Sequence, residues 1–149
     1  MEAVFLIGLP GSGKSSFYKE RYFSTHVRIS RDLLKTPHRF ERMMQLCLET
    51  DQPFVIDNTN PSVNDRAPLI SASRAWGFMI HGCYFQSRVA DCLQRNAMRS
   101  GDERVPDVAI LSKAKQLQLP EWTEGFERLS YVRIENGQFV VEDWQDEIR

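Results

Sequence analysis

The eight residues from Gly8 to Ser15 read Gly-Leu-Pro-Gly-Ser-Gly-Lys-Ser, the residue pattern of a phosphate-binding loop. Glycines that adopt positive φ let successive main-chain N–H groups point at phosphate oxygens. Lys14 is predicted to reach the β and γ phosphates, and the Ser15 hydroxyl is predicted to hold a Mg²⁺ ion that bridges them. The pattern therefore predicts binding of ATP or GTP together with Mg²⁺.

The residues on either side place this loop between a strand and a helix. An apolar run from Ala3 to Ile7 precedes it, and 16–21 can wind into a helix. The N-terminus of that helix adds partial positive charge where the phosphates would bind. The residues predicted to bind the nucleotide are Gly8, Leu9, Pro10, Gly11, Ser12, Gly13, Lys14, Ser15, Ser16 and the distant Arg99.

A carboxylate follows the second predicted strand, Val27–Ile29, in the turn Ser30-Arg31-Asp32. Ligands of open parallel sheets bind beyond the carboxyl ends of the strands, so Asp32 should lie beside the phosphate loop. We predict that it is the general base for an acceptor hydroxyl, with Arg31 and Lys35 attracting an anionic substrate. The alternative is that Asp32 caps the next helix.

A second polar turn follows the apolar run Pro53–Asp57. Asp57 is predicted to bind Mg²⁺ through water, the alternative being an ordinary turn residue at a strand end. Asn58, Thr59 and Asn60 follow at the same edge of the predicted sheet, and we predict that they bind the substrate.

Arginines mark a later helix, predicted from Arg88 to Arg99. Arg88, Arg95 and Arg99 would lie within about 20° of one line on that helix. A Gly-containing loop follows, so we predict a mobile lid around residues 95–106, with Arg95 and Arg99 as catalytic residues that neutralise charge on a transferring phosphoryl group. The alternative is an arginine stripe on a solvated surface.

The overall composition is that of an ordinary soluble domain. The chain has 149 residues, 42% of them hydrophobic, and a formal net charge of −1. These values favour one domain spanning 1–149 and do not favour a globally basic nucleic-acid binder. The sequence contains no apolar run near the roughly 20 residues of a membrane helix, and its three cysteines lack metal-like spacing. We therefore expect a cytoplasmic location without a membrane partner; the pattern specifies no oligomeric state.

Strand and helix patterns alternate along the chain. Apolar runs end near Ile7, Ile29, Asp57 and Phe85, with helical patterns between them. Asn136-Gly137 indicates a hairpin turn near the end. We predict an α/β fold, a three-layer sandwich with a mainly parallel sheet of the P-loop NTPase, nucleotide-kinase-like kind.

The GTPase patterns Asp-x-x-Gly and Asn-Lys-x-Asp do not occur in the sequence. A kinase needs an acceptor site, a base and cations over the transferred phosphoryl group, and the residues above can supply these. Two other classes stay open. One is a kinase of small metabolites, nucleosides or nucleotide sugars on the same fold, and the other is a nucleotide-binding switch or regulatory ATPase that has no acceptor.

Several motifs resemble those of the polynucleotide 5′-kinases, including the kinase half of polynucleotide kinase–phosphatases. The matching residues, in chain order, are 8–15, Ser30-Arg31-Asp32, the Val-Ile-Asp-Asn-Thr-Asn-Pro string at 55–61, Arg95, Arg99, Val105-Pro106, Pro120 and Glu124-Gly125-Phe126. The resemblance implies transfer of the γ phosphoryl of ATP to a 5′-hydroxyl of DNA or RNA. It implies Asp32 as the base, Lys14 and Ser15 as the phosphate and magnesium groups, and Arg99 as the lid arginine.

The sequence departs from that family at two points. At the position of Lys35, the phage member of the family has an arginine that holds a phosphate of the acceptor. Lysine keeps the charge but lacks the two-pronged guanidinium fork. The chain also contains no Asp-x-Asp phosphatase motif. We therefore expect no 3′-phosphatase activity. Whether a separate phosphatase or ligase works with this chain stays open.

Overall fold

A six-stranded sheet forms the centre of the computed structural model, which describes residues 1–146. The strands are β1 (Glu2–Ile7), β2 (Val27–Ile29), β3 (Phe54–Asp57), β4 (Met79–Phe85), β5 (Arg128–Glu135) and β6 (Gln138–Asp143). They lie in the order β2-β3-β1-β4-β5-β6, with β6 antiparallel to β5 and the other pairs parallel. The predicted mainly parallel sheet and the closing hairpin are confirmed.

Six helices connect and cover the strands. They are α1 (Lys14–Arg21), α2 (Arg31–Leu34), α3 (Pro37–Glu49), α4 (Val63–Ala75), α5 (Val89–Ala97) and α6 (Asp107–Gln116). Short 3₁₀ turns lie at Gly101–Glu103 and Trp122–Glu124. Within residues 1–146, no helix is both long enough and apolar enough to cross a membrane.

The central strands β1, β3 and β4 are buried on both faces, which explains their continuous apolar sequences. Along β1, Phe5 and Ile7 join the core cluster that includes α3 and α4, whereas Val4 and Leu6 join the cluster that includes Phe17 of α1. Successive side chains of a strand point to opposite faces, so an uninterrupted apolar run serves two layers at once. The result is the predicted three-layer sandwich, with the phosphate loop following its central strand.

Helix α4 runs without interruption through Pro68. Its N-cap is Ser62, whose hydroxyl accepts a hydrogen bond from the Asp65 N–H at 3.1 Å. Proline leaves the carbonyl four residues earlier, on Asn64, without its helical donor. Both residues are exposed, so water can hydrate that carbonyl.

Helix α5 is shorter than predicted. It ends at Ala97, so Arg88 occupies the N-cap position and Arg99 lies beyond the helix. The prediction of one helix carrying all three arginines is therefore wrong. The physical reason is a long-range contact: the buried Asn96 side chain donates to the Val105 carbonyl at 2.7 Å and accepts from its N–H at 3.0 Å. This pair of bonds closes the loop 97–104 on itself.

Helix α2 was not predicted as a helix. Its N-cap is Ser30, whose hydroxyl accepts from the Leu33 N–H at 3.4 Å. Asp32 lies in the first turn and does not cap the helix. Its carboxylate is exposed at the carboxyl edge of the sheet, where the base was predicted.

Candidate active site

The phosphate loop is held from three sides before any ligand binds. The Gly8 N–H donates to the Thr59 carbonyl at 3.1 Å, and the Leu9 N–H donates to the Ser87 hydroxyl at 3.0 Å. Gly11 has a φ of 86°, and a Cβ there would lie 2.5 Å from the Cys92 carbonyl oxygen. A side chain at Gly11 would therefore clash with the α5 backbone, which explains why glycine is required.

The inside of the loop offers donors for an anion. Gly13, with a φ of 102°, is the N-cap of α1, so the first N–H groups of that helix face the loop. The Ser12 hydroxyl is buried and has no hydrogen-bond partner within residues 1–146. A phosphate oxygen would give this orphaned group a partner. The loop therefore fits a phosphate group.

Lys14 is buried in the loop. Its ammonium donates to the Gly8 carbonyl at 2.8 Å and to the Leu9 carbonyl at 3.1 Å. Burial lowers the pKa of Lys14 from 10.5 to about 8, and the carboxylate of Asp57 opposes that shift. Weaker electrostatic effects come from Arg99, which lowers the pKa, and from Asp32, which raises it. Lys14 is thus a buried cation whose pKa is affected by the predicted metal ligand Asp57 and the predicted base Asp32.

Ser15 and Asp57, the two predicted metal ligands, are directly linked. The Ser15 hydroxyl donates to Asp57 Oδ2 at 2.9 Å, across 42 residues of sequence. A hydroxyl whose proton is given to a carboxylate presents its lone pairs outward, and an oxygen pair of this kind suits Mg²⁺. Arg28 also contacts both residues, with its Nε 2.7 Å from Asp57 Oδ2. Ser15 and Asp57 would hold the ion together with phosphate oxygens and water, as is usual for Mg²⁺.

A cleft of about 290 Å³ opens at the carboxyl ends of β2 and β3. Its lining includes Arg31, Asp32, Asn58, Thr59 and Asn60, all of them sequence-predicted site residues. The structure therefore brings the predicted base and four of the five predicted substrate-binding residues to one cleft.

Inside that cleft, the Asn58-Thr59-Asn60 turn ties the sheet to its neighbours. Asn58 Oδ1 accepts from the Arg31 N–H at 2.9 Å, which positions α2 and its Asp32. Asn60 is buried, has a φ of 49° and donates its amide to the Leu6 carbonyl at 2.6 Å. Its amide nitrogen is committed to the end of β1, so this part of Asn60 positions the turn.

The two cations predicted to attract the substrate lie in different places. The Arg31 guanidinium lies 5.6 Å from the centre of the Phe40 ring and also lines the cleft. Lys35 is exposed at the end of α2 and is not among the cleft-lining residues. Its φ of 69° is unusual for a residue other than glycine. Arg31 is thus held toward the cleft, whereas Lys35 marks the chain reversal beside it.

Arg95 and Arg99 reach the loop region from the other side. Arg95 Nη1 donates to the Gly11 carbonyl at 3.2 Å, so this side chain already contacts the phosphate loop. Arg99 makes a long contact of 3.4 Å to the Glu103 carbonyl within the predicted lid. The two arginines therefore differ in how firmly they are held.

Sequence reasoning missed several residues of the site. Lys113 and Gln116 of α6 and Asp65 of α4 also line the cleft. Arg66, fully buried, makes a two-pronged ion pair with Glu124 at 2.8 and 2.9 Å and donates to the Asn60 carbonyl at 2.8 Å. The Glu124 motif was visible in the sequence, but its role as an anchor for the Asn60 turn was not.

The sheet order, the glycine loop after β1 and the helix that follows define this molecule as a P-loop NTPase fold of the kinase-like kind. Within that class, the chain belongs to the family AAA_33, an AAA domain, whose family model matches residues 30–129.

Two curated relatives support the predicted resemblance. A bifunctional polynucleotide phosphatase/kinase from Schizosaccharomyces pombe is 27% identical over 149 residues, covering 97% of this chain and 36% of the relative. A putative bifunctional polynucleotide phosphatase/kinase from Acanthamoeba polyphaga mimivirus is 28% identical, covering 95% of this chain and 35% of the relative. The chain thus spans about a third of the length of these two curated relatives, and the predicted family resemblance is confirmed.

Solved structures show the same fold at lower identity. Kti12 from Chaetomium thermophilum, solved in complex with ADP-AlF3, has a TM-score of 0.61 and 17% identity, with 88% of each chain covered. A sugar kinase from Janibacter has a TM-score of 0.62 and 14% identity, covering 88% of this chain and 85% of the other. These matches confirm the predicted fold class.

Proposed function

We propose that this chain is an ATP-dependent kinase that transfers the γ phosphoryl of ATP to a hydroxyl, with the 5′-hydroxyl end of DNA or RNA as its acceptor. The observation that carries the proposal is the position of Asp32, which is exposed in the cleft at the carboxyl ends of β2 and β3. Its charge slightly raises the pKa of the buried Lys14 of the phosphate loop. The names of the two curated relatives support the polynucleotide acceptor.

In the proposed reaction, the Asp32 carboxylate takes the proton of the acceptor hydroxyl. The acceptor oxygen forms a bond to the γ phosphorus, the bond from that phosphorus to the β–γ bridging oxygen breaks, and ADP leaves. Lys14 and the lid arginine Arg99 neutralise charge on the transferred group. A Mg²⁺ ion held by Ser15 and Asp57 would supply further charge neutralisation at the nucleotide phosphates.

Positioning comes from residues that do not react. Asn58 fixes the start of α2, and Arg66 holds the turn that follows β3 through the Asn60 carbonyl. Both contacts set where Asp32 stands relative to the phosphate loop. We also propose that residues 95–106 act as the lid of one domain, because the stretch 100–104 that follows the half-buried Arg99 is exposed.

The test is an acceptor comparison with γ-labelled ATP. We expect a short 5′-hydroxyl oligonucleotide to be phosphorylated with a kcat/KM at least a hundredfold above that of free nucleosides or simple sugars. The same oligonucleotide carrying a 5′-phosphate is the matched control and should not accept label. Preference for a nucleoside or sugar would overturn the polynucleotide assignment and leave the kinase assignment standing.

The cleft itself favours a second candidate, a kinase of small metabolites, nucleosides or nucleotide sugars. Its volume of about 290 Å³ is at the lower end for small-molecule sites. Lys113 and Gln116 of α6 line it as well. The same acceptor panel distinguishes the two kinases. ATP hydrolysis that no acceptor stimulates would favour a regulatory ATPase instead.

A further inference from the structure

Arg28 closes a ring of three side chains at the predicted metal site. Its Nε donates to Asp57 Oδ2 at 2.7 Å and its Nη2 donates to Ser15 Oγ at 3.3 Å. The third side of the ring is the hydrogen bond from Ser15 Oγ to Asp57 Oδ2 at 2.9 Å. The Asp57 side chain is 2% exposed, so it needs a cationic partner when no metal is bound.

A divalent cation held by Ser15 and Asp57 would bind beside this guanidinium. The Ser15 hydroxyl has one proton, which it gives to Asp57, and two lone pairs. Arg28 Nη2 already uses one of these lone pairs. A metal ion approaching the remaining lone pair would also meet the like charge of the guanidinium a few ångströms away, where little water intervenes. Arg28 and a metal ion therefore compete for the negative charge of Asp57 and for the space beside Ser15 Oγ.

We propose that Arg28 is an internal competitor of the divalent cation, so that the cation enters the site with the nucleotide and not alone. Nucleotide phosphates bring additional oxygen ligands and negative charge, which compensate for the guanidinium. In their absence, Arg28 neutralises Asp57 and holds Ser15 in place. The inference depends on the proposed function only for the nature of the site as a metal–nucleotide site.

The sequence positions of these three residues explain why Arg28 was not predicted as a site residue. It lies in a three-residue strand, 13 residues from Ser15 and 29 from Asp57. A single charged residue in a short strand carries no motif. Its function would be one of positioning and competition, without contact to the acceptor.

The experiment measures binding of Mn²⁺ to the full chain without nucleotide, by the loss of the electron paramagnetic resonance signal of free Mn²⁺. We expect Arg28→Met to lower the dissociation constant for Mn²⁺ at least tenfold relative to the wild type. Arg28→Lys keeps a charge without the two-pronged geometry and should lower it severalfold. Arg21→Met, which removes an exposed arginine paired with Glu20, is the matched control and should leave binding unchanged.

Unchanged or weaker Mn²⁺ binding in folded Arg28→Met would overturn the proposal, with folding checked by circular dichroism and thermal melting. If that variant does not fold, Arg28→Lys decides, and unchanged binding there overturns the proposal equally. The measurement involves no acceptor and no turnover. An inactive kinase would therefore leave the Arg28 result standing, and a failed Arg28 prediction would leave the kinase assignment standing.

Discussion

The phosphate loop and the proposed lid, residues 95–106, are built in opposite ways. Gly11, Ser12, Gly13 and Lys14 are buried, and the loop is bonded to the β3 turn, to Ser87 and to α5. The lid segment is largely exposed and is closed by the bonds between Asn96 and Val105. The donor side is therefore preorganised, whereas the lid has few contacts that oppose its movement. This contrast predicts different kinetic consequences for substitutions in the two regions.

Of the two regions, the preorganised loop should show the larger effect. Lys14→Ala should reduce phosphoryl transfer by roughly 10²–10³-fold, because it removes the cation aimed at the β and γ phosphates. The melting temperature should change little, since the ammonium's hydrogen bonds are offset by its desolvation. Lys19→Ala, on the exposed face of the same helix, is the control for charge and should behave as the wild type. Equal losses of phosphoryl-transfer activity in the two variants would contradict a special role for the phosphate loop.

A smaller effect is expected in the lid, and mainly on one kinetic constant. Arg99→Ala should lower kcat on the order of 10²-fold while changing the KM for ATP by only a few-fold, because its contact is expected in the transition state. Arg88→Ala, at the exposed N-cap residue of α5, should be silent. An effect confined to KM would mean that Arg99 holds ground-state nucleotide, and the contrast between the two regions would be lost.

The smallest effect concerns pH. The pKa of Lys14 is about 8 without nucleotide, and phosphate binding must raise it because the charged form binds the anion. Nucleotide affinity should therefore fall as pH rises above 8, by about tenfold at pH 9 relative to pH 7.5. Titration with a fluorescent ATP analogue measures this, and Lys14→Met should show no such slope. A flat profile for the wild type would contradict the described environment of Lys14.

Local chemistry explains which parts of the site were predictable. The loop at Gly8–Ser15 carries its function in eight consecutive residues. Asp32 and the turn after Asp57 could be placed together because carboxyl ends of parallel strands share one edge of the sheet. The sequence also offered Asp32 as a helix cap. In the structure Ser30 is the cap, and Asp32 lines the cleft.

Long-range contacts explain what was missed. Helix α5 ends early because the Asn96 side chain donates a hydrogen bond to the Val105 carbonyl. The helical periodicity of the sequence does not indicate this contact. Arg28, Lys113 and Gln116 reach the site only through tertiary packing. The buried ion pair of Arg66 and Glu124 likewise joins residues that are 58 positions apart in the sequence. Removing one partner of such a pair lowers the free energy of unfolding by about 3–5 kcal/mol.

The central claim is that Asp32 is the general base, and single-turnover transfer from γ-labelled ATP to a 5′-hydroxyl oligonucleotide tests it most directly. Asp32→Asn should slow transfer by about 10²–10⁴-fold with ATP affinity unchanged, since only the proton acceptor is lost. Asp51→Asn, at an exposed residue whose φ of 59° asparagine tolerates, should match the wild type. An Asp32→Asn enzyme that keeps more than about a tenth of the wild-type rate would contradict the account.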